Sequence, residues 1–420
     1  MAAVFKRLND VPITVWLVSI ASLLITCSSA MFFSVFALFL DSINFSVKDI
    51  GIIDGVVEGA CYLFKVISGV VSDHLTNKRA VFAFGTLLIT LSRVIVAMSA
   101  AHFAAILAKV MDRLGNGVQS TPRDAIVGDC SPKHRRGLCF SVRQALGTFG
   151  SVAGAFFAIA LLKYRQDDFR AVFVAAGVPA AVALFIILFK ICNTHSSTQT
   201  SASTKAAPEM VGNGAVEEKN KNSNNFSFKS IKQLDKNFWL LISAIAIFMM
   251  CRYSETIIIL YGKTRFNLGS NKALWAMPVY NIAWVLSAYV VGPIVDRSRF
   301  KNLMLIGAGF VVFSNLIFIT ASSFAVFLVG VALWGVQLGL TQTLFCTWVT
   351  HFSPKRLRGT AFGVYYLVTA IGVLLASTVS GTLMHSYGSA AFIYSAAVGA
   401  VSMVMSIVID RLVQGHTLYE

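Results

Sequence analysis

Asp54, Glu58, Cys61 and Lys65 recur at steps of four, three and four, so on a helix they share one face. Their neighbours Val56, Val57, Leu63, Phe64 and Val66 are apolar. A charged stripe on an otherwise greasy helix reads as the lining of a cavity, because ionisable groups at membrane depth face water or a partner. Lys109, Arg113, Asn116 and Ser120 repeat the pattern on a second segment. Asp112 points about 100° away from that second stripe, toward another helix.

Two chemistries compete for these charges. A carboxylate that gains and loses a proton as its surroundings change can couple movement of a substrate to protons. Desolvation favours its neutral form and a nearby cation favours the ionised form, so geometry sets the state. Glu58 leads for this role, followed by Asp54 and Glu255. A guanidinium grips a carboxylate at two points. Arg113, Lys65, Arg93 and Arg252 are therefore candidates to hold an anionic substrate. Arg252 and Glu255 stand at i and i+3, close enough to pair on one helix. The plainer alternative is that such charges form salt bridges that only hold helices together.

Long apolar helices are needed to position these groups, and the composition supplies them. The chain has 420 residues, of which 56% are hydrophobic and 13% charged. Its mean hydropathy is +0.72. Soluble domains carry about 25% charged residues, so too little polar surface remains to cover a water-soluble body of this size. The chain reads as an integral membrane protein, and wholesale disorder is excluded by the same apolar fraction. The seven cysteines are odd in number and form no CxxC, which argues against a disulfide framework. No HExxH, P-loop or GxSxG occurs. An enzyme, a metal site, a cofactor and a self-contained ATP-driven pump are thus not expected.

A helix needs about 20 apolar residues to cross the hydrocarbon. Twelve segments qualify: 12–40, 50–72, 80–100, 102–124, 137–162, 169–191, 237–261, 271–294, 302–321, 324–350, 359–384 and 388–411. With the N-terminus inside, the inner loops hold about three times as many Lys and Arg as the outer ones, so both termini are expected in the cytoplasm. The net charge of +16 follows from that bias and not from a nucleic-acid partner. Residues 192–236 are polar and contain the run SSTQTSASTKAAPEMVGNGAVEEKNKNSNN. They cannot bury a core and read as a disordered cytoplasmic linker between an N-terminal unit, 1–191, and a C-terminal unit, 237–420.

The two units repeat each other. Gly69 and Asp73 of one loop recur as Gly292 and Asp296 at a separation of 223. Ser131-Pro132-Lys133 through Arg136-Gly137 recur as Ser353-Pro354-Lys355 through Arg358-Gly359. Duplicated six-helix halves with a site between them are a transporter architecture. The charges are not duplicated: positions matching 54, 58 and 65 are Met277, Asn281 and Ala288. The second half offers Trp275, Tyr280, Asn281 and Trp284, then Trp334, Gln337, Thr341 and Gln342. Tyr280, Asn281, Trp284 and Gln337, with Asn116, complete the expected substrate wall.

On these residues the chain resembles the major facilitator superfamily. The loop Gly69-Val-Val-Ser-Asp73 through Lys78-Arg79 is similar to that family's first signature, although Asn77 stands where the family has Gly-Arg. Arg113-Leu-Gly-Asn116-Gly117 is similar to its R-x-x-Q-G, with Asn for Gln. Gly150-Ser-Val-Ala-Gly154-Ala155 is only a remnant of the antiporter signature. The resemblance implies an all-α membrane fold of twelve transmembrane helices in two pseudo-symmetric bundles. It also implies alternating access, in a multi-pass protein of the cell inner membrane. Asp73, Arg79, Arg123, Asp124, Asp129, Arg136 and Asp296 would then form a cytoplasmic gate of breakable ion pairs. Gly147, Gly150 and Gly154 read as helix-packing positions.

The expected function is proton-coupled transport of a small polar, anionic metabolite of the carboxylate or siderophore kind. The expected partners are that substrate, protons and membrane lipid, with the protein a monomer. A drug or metabolite exporter is the alternative within this class, its acids meeting cationic compounds and its aromatic wall their rings. A receptor that binds without transporting is the alternative from another class.

Overall fold

The computed structural model describes residues 11–74, 77–99, 101–132, 136–166, 168–191, 233–295, 300–354 and 357–412. Among these residues there are fourteen helices and no strand. The first six are α1 (Ile13–Ser42), α2 (Val47–His74), α3 (Lys78–Met98), α4 (His102–Cys130), α5 (Arg136–Tyr164) and α6 (Phe169–Phe189). The others are α7 (Lys236–Met249), α8 (Glu255–Arg265), α9 (Ser270–Ala273), α10 (Ala276–Val295), α11 (Phe300–Thr320), α12 (Phe324–His351), α13 (Arg358–Tyr387) and α14 (Ala390–Leu412). Eight of them are long and apolar enough to cross a membrane: α1, α3, α5, α6 and α11 to α14. The expected linker falls almost wholly outside the described residues.

Side chains at the helix ends explain why the chain stops and restarts where it does. Asn77 accepts the Ala80 amide at 3.1 Å and so caps α3, which gives this departure from the family's loop a local use. Asp168 and Asp235 cap α6 and α7 in the same way. Asn44, Gln166, Asn267 and Gly388 all have positive φ and reverse the chain after α1, α5, α8 and α13.

The stretch 237–261, expected as one span, is not a single helix. It breaks at Met250–Ser254, and α8 restarts with Ser254 capping the Thr256 amide at 3.3 Å. Arg252 and Glu255 therefore do not lie at i and i+3 of one helix, and no ion pair joins them among the described residues.

Helices α1, α3, α4, α5 and α6 meet at a cluster that holds Val11, Val15, Phe82, Ile126, Cys139 and Ile187. This places residue 11 beside the start of α3 and the end of α4, on what is called the terminal face. A larger cluster fills the second half and reaches the other end of the first. It joins Phe32, Phe36 and Phe39 of α1 to Phe173 of α6 and to Ile257, Ile258 and Leu260 of α8. Between helices in lipid such contact stabilises through dispersion and close fit more than through water exclusion. The glycines of α5 serve that fit: a Cβ on Gly154 would collide with the Cys27 carbonyl and Ala30 of α1.

The tightest contact between the two halves is α2 on α13. A Cβ at Gly51 would stand 2.7 Å from the Ser377 carbonyl and 2.8 Å from the Gly381 Cα, so only glycine permits this approach. Further along, Gly59 packs on Ala370, and Tyr62 stacks on Tyr366 with centroids 6.1 Å apart.

Candidate functional site

A cavity of about 370 Å³ lies between the halves, in the size range of small-metabolite sites. One wall comes from α1, α2, α4 and α5. The other comes from the break before α8 together with α10, α12 and Val373 of α13. Both stripes read from the sequence line it: Asp54, Glu58, Cys61 and Lys65 on α2, and Lys109, Arg113, Asn116 and Ser120 on α4.

The two stripes face each other in register. Lys109 pairs with Asp54. Arg113 pairs with Glu58 at 2.5 Å, with side chains 23% and 24% exposed. Deeper toward the terminal face, Gly117 abuts the Cys61 carbonyl and Phe64. The two helices run parallel, so a shared spacing of four residues brings each acid to a cation. The Arg113 guanidinium also lies 3.8 Å over the Phe33 ring, which fixes its plane. Lys65 sits 4.6 Å over the Tyr62 ring.

Asp112 does reach another helix. It pairs with Arg93 of α3 at 2.6 Å, both fully buried and away from the cavity. Arg93 also bonds Ser92 at 2.7 Å and Ser28 at 3.2 Å, and its guanidinium lies 4.2 Å over Phe32. The structure thus places Arg93 in a packing network and not against the cavity. Asp112 reaches the site indirectly, since Asn116 donates to its carbonyl at 3.0 Å and to its carboxylate at 3.2 Å.

The second wall is built differently. Tyr280 donates to Glu255 at 2.5 Å and lies 6.0 Å from Trp284. Tyr253 stacks on Trp334 at 4.5 Å. Asn281 lines the cavity and donates its amide to the Met277 carbonyl at 3.0 Å. Gln337 is fully buried but does not line the cavity. Trp275 turns away to meet Phe156 edge-on. Arg252 lines the cavity with no acid partner among the described residues, and it donates to the Met249 sulfur at 3.7 Å. Ser254 crosses between the walls and donates to Asp54, which thereby bonds both halves.

The described residues of the expected gate lie toward the terminal face. Asp129 pairs with Lys78 at 2.8 Å, and Asp124 pairs with Arg123 at 3.1 Å and with Arg143 at 3.4 Å. Lys301 pairs with Asp410 at 3.0 Å. Each of these pairs stays within one half. Arg79 is the second residue of α3 and forms no ion pair among the described residues. Asp73 and Arg136 lie in described helices without described side chains, and Asp296 falls outside the described residues. On the opposite face, Lys263 of α8 does join the other half, at Asp41 of α1, 2.6 Å away.

The family model for the Major Facilitator Superfamily matches residues 18–377 and 275–416. The chain belongs to the Major Facilitator Superfamily. It is 24% identical over 398 residues to an uncharacterised MFS-type transporter of Methanocaldococcus jannaschii, covering 92% of each chain. It is 23% identical to the arabinose-proton symporter of Bacillus subtilis over 327 residues, 71% of this chain and 69% of the relative. In fold it is similar to a POT family transporter solved with a thioalcohol-conjugated peptide, with a TM-score of 0.75, 14% identity and 97% of both chains covered. Membership of this superfamily makes the protein a multi-pass membrane protein whose relatives are transporters, not enzymes.

Several lining residues were not foreseen as site residues. Tyr253 and Ser254 line the superfamily cavity only because the helix breaks beside them. The signal was present, since Ser254 followed by Glu255 has the form of a helix start. Thr26 and Gln119 also line the cavity. Gln119 is three residues beyond Asn116 and belongs to the α4 stripe by spacing.

Proposed function

We propose that the protein is a secondary active transporter that moves a small anionic metabolite together with protons by alternating access. In this reading twelve helical spans, with α7 and α8 together forming the seventh, make two six-helix units joined by a cytoplasmic linker. The protein is a monomer in the cell inner membrane, and the terminal face is the cytoplasmic one. The ion pair and glycine contact that join the halves away from that face then belong to a state closed to the outside.

The observation that carries the reading is the Glu58–Arg113 pair at the cavity surface. With Glu58 ionised, its carboxylate occupies the guanidinium that an anion would need. Protonating Glu58 removes that competitor, so a proton and an anion enter together. The lining supports an anion by count, since Lys65, Lys109, Arg113, Arg123 and Arg252 face Asp54, Glu58 and Glu255. Rocking of the two units about this cavity then carries both across. The name of the arabinose-proton symporter among the relatives supports proton coupling.

Glu58→Gln tests this in proteoliposomes. The variant keeps Arg113 unopposed at every pH, so pH-driven accumulation should fall by at least tenfold while counterflow exchange persists. Normal uphill transport by the variant would remove Glu58 from coupling. A second reading rests on Glu255, which with Tyr280 and Trp284 makes an acidic, aromatic corner suited to a cationic compound. If Glu255→Gln abolishes transport of a lipophilic cation while Glu58→Gln leaves it intact, export of cations is the better description.

A further inference from the structure

Asp54 lines the cavity and is bonded to both halves of the molecule. Its carboxylate accepts from Lys109 of α4, in its own half, and from the Ser254 hydroxyl, at the break before α8 in the other half. It is 2% exposed. Glu58 is placed differently, since its partner Arg113 belongs to the same half. A proton on Glu58 frees a guanidinium within the first half. A proton on Asp54 acts on a bond that crosses between the halves.

Ser254 is placed to pass that change on. Its oxygen accepts from the Thr256 amide at 3.3 Å and so starts α8, while its one hydrogen goes to Asp54. Further along α8, Lys263 meets Asp41 of α1 at the rim. α8 is thus fastened to the first half at both ends, by an exposed pair at the rim and by a buried acid at the cavity. The other charges around Asp54 are Glu58 and Arg113, paired with each other, Glu255, which accepts from Tyr280, and Arg252. Asp112 is turned to Arg93. α13 packs on this part of α2 through Leu374 and Ser377, which carry no charge.

A hydrogen bond to an ionised acceptor is about twice as strong as one to a neutral acceptor. Protonating Asp54 therefore weakens the link to Ser254. It also leaves the Lys109 ammonium buried without its counter-ion, which opening the cavity to water relieves. Ionised Asp54 favours the state closed to the outside, and protonated Asp54 favours the state open to it.

Resting on the proton-coupled reading above, we propose that Asp54 and Ser254 form the link that turns protonation into movement of the halves. Asp54 sets the side to which the cavity opens, and Ser254 is its positioning residue. Glu58 then governs what binds, and Asp54 governs where it is released. A proton taken by the Asp54 carboxylate from water at the outer side holds the cavity open there. Its loss to water at the terminal face restores the bond to Ser254 and closes the outer side.

Distances between spin labels on the purified full-length protein test this, without substrate, at pH 7.5 and pH 5.5. The labels are carried on ketone-bearing residues in place of Lys163 and Ser386, which are exposed at the outer ends of α5 and α13, so the native cysteines stay. Acidification of the parent should raise the population with the outer side open by about fivefold, the difference between a charged and a neutral acceptor. Asp54→Asn should hold that population raised at both pH values. Ser254→Ala should raise it at pH 7.5 and blunt the response to acid. Ser254→Thr, which keeps the hydroxyl, should restore the parent's behaviour, and Glu58→Gln should respond as the parent does. Because Ser254 also caps α8, Ser254→Ala is repeated in the Asp54→Asn background, where it should add less than about twofold when both act through one bond. A full additional shift there, or a response to acid that survives in Asp54→Asn, overturns the inference. A response lost in Glu58→Gln moves the switch to Glu58, which overturns the inference and leaves proton coupling standing. A parent whose outer side ignores acid also overturns it, and if uphill transport ignores acid as well, the proton-coupled reading falls with it.

Discussion

The two walls of the cavity descend from one repeated sequence, yet they solve the problem of buried polarity in opposite ways. On the first wall each acid that lines the cavity has a cation, since Asp54 has Lys109 and Glu58 has Arg113, and behind the wall Asp112 has Arg93. On the second wall Arg252 has no acid partner among the described residues, and Glu255 is held by the Tyr280 hydroxyl instead. Where each acid is matched by a cation, the simplest way to change the wall is to protonate an acid. A wall with one unmatched cation beside aromatic rings is a standing offer to an anion. In the proposed reading the first wall switches, freeing Arg113 when Glu58 takes a proton, and the second wall receives by holding Arg252 open throughout. The walls differ too in how their backbones are held. The first wall's helices α2 and α4 are continuous, whereas the second presents Arg252 from a break in the helix.

The comparison is broken most severely by removing Asp112. Its carboxylate and Arg93 are both fully buried, so Asp112→Ala strands a guanidinium with no water to solvate it. A destabilisation of about 3–5 kcal/mol is expected from the loss of one member of such a pair. It would be read as a lowered unfolding midpoint in detergent. Replacing both partners together, Arg93→Met with Asp112→Leu, should recover most of the loss. If instead the double variant is as unstable as Asp112→Ala, the ion pair holds more than the packing of α3 on α4.

The second wall answers differently to the loss of a charge. Arg252→Gln strands no acid, so the unfolding midpoint should stay within the small range of surface substitutions, about 0.5 kcal/mol. Anion affinity should still fall by about tenfold, the loss of one charge-assisted hydrogen bond. A stability loss as large as that of Asp112→Ala would show that Arg252 holds structure and that the two walls are alike after all.

How far the sequence reached follows the same division. The stripes on α2 and α4 were legible because helical spacing alone puts their members on one face. That they face each other in register was not, because a period says nothing about the offset between two helices. Arg93 resembled a substrate residue because a buried cation in isolation has no visible partner, and only the packing of α3 on α4 supplies Asp112. The break at Met250–Ser254 escaped because it contains neither Pro nor Gly. Its buried polar groups are satisfied by tertiary contacts, such as Ser395 donating to the Cys251 carbonyl at 2.7 Å and Tyr253 to Asn315 at 2.9 Å. Such contacts lie 144 and 62 residues apart in the chain. The gate residues were legible as charges on one face, and their partners were not.

The smallest effect is expected where the two walls' own helices touch at the rim. Asp41 ends α1, Lys263 lies near the end of α8, and the pair spans 2.6 Å with side chains 42% and 27% exposed. An exposed pair of this kind contributes about 0.2–1 kcal/mol, less as salt rises. In the alternating-access reading it joins the halves only while the opposite face is closed, so its energy would enter the balance between two access states and not the stability of either half. Lys263→Ala should therefore leave the unfolding midpoint in place and shift the state population by no more than about fivefold. The shift is measurable as labelling of Cys61, which lines the cavity, by an impermeant maleimide applied from each side of the membrane to a variant retaining that one cysteine. High salt should reproduce the shift in the parent and add little in the variant. The Gly51–Gly381 contact sets the contrast, because it is steric and indifferent to salt. If Lys263→Ala moves the population as far as a bulky side chain at Gly51 does, the rim pair is the dominant lock. The division of labour between a switching wall and a receiving wall would then have to include a third element at the opposite face.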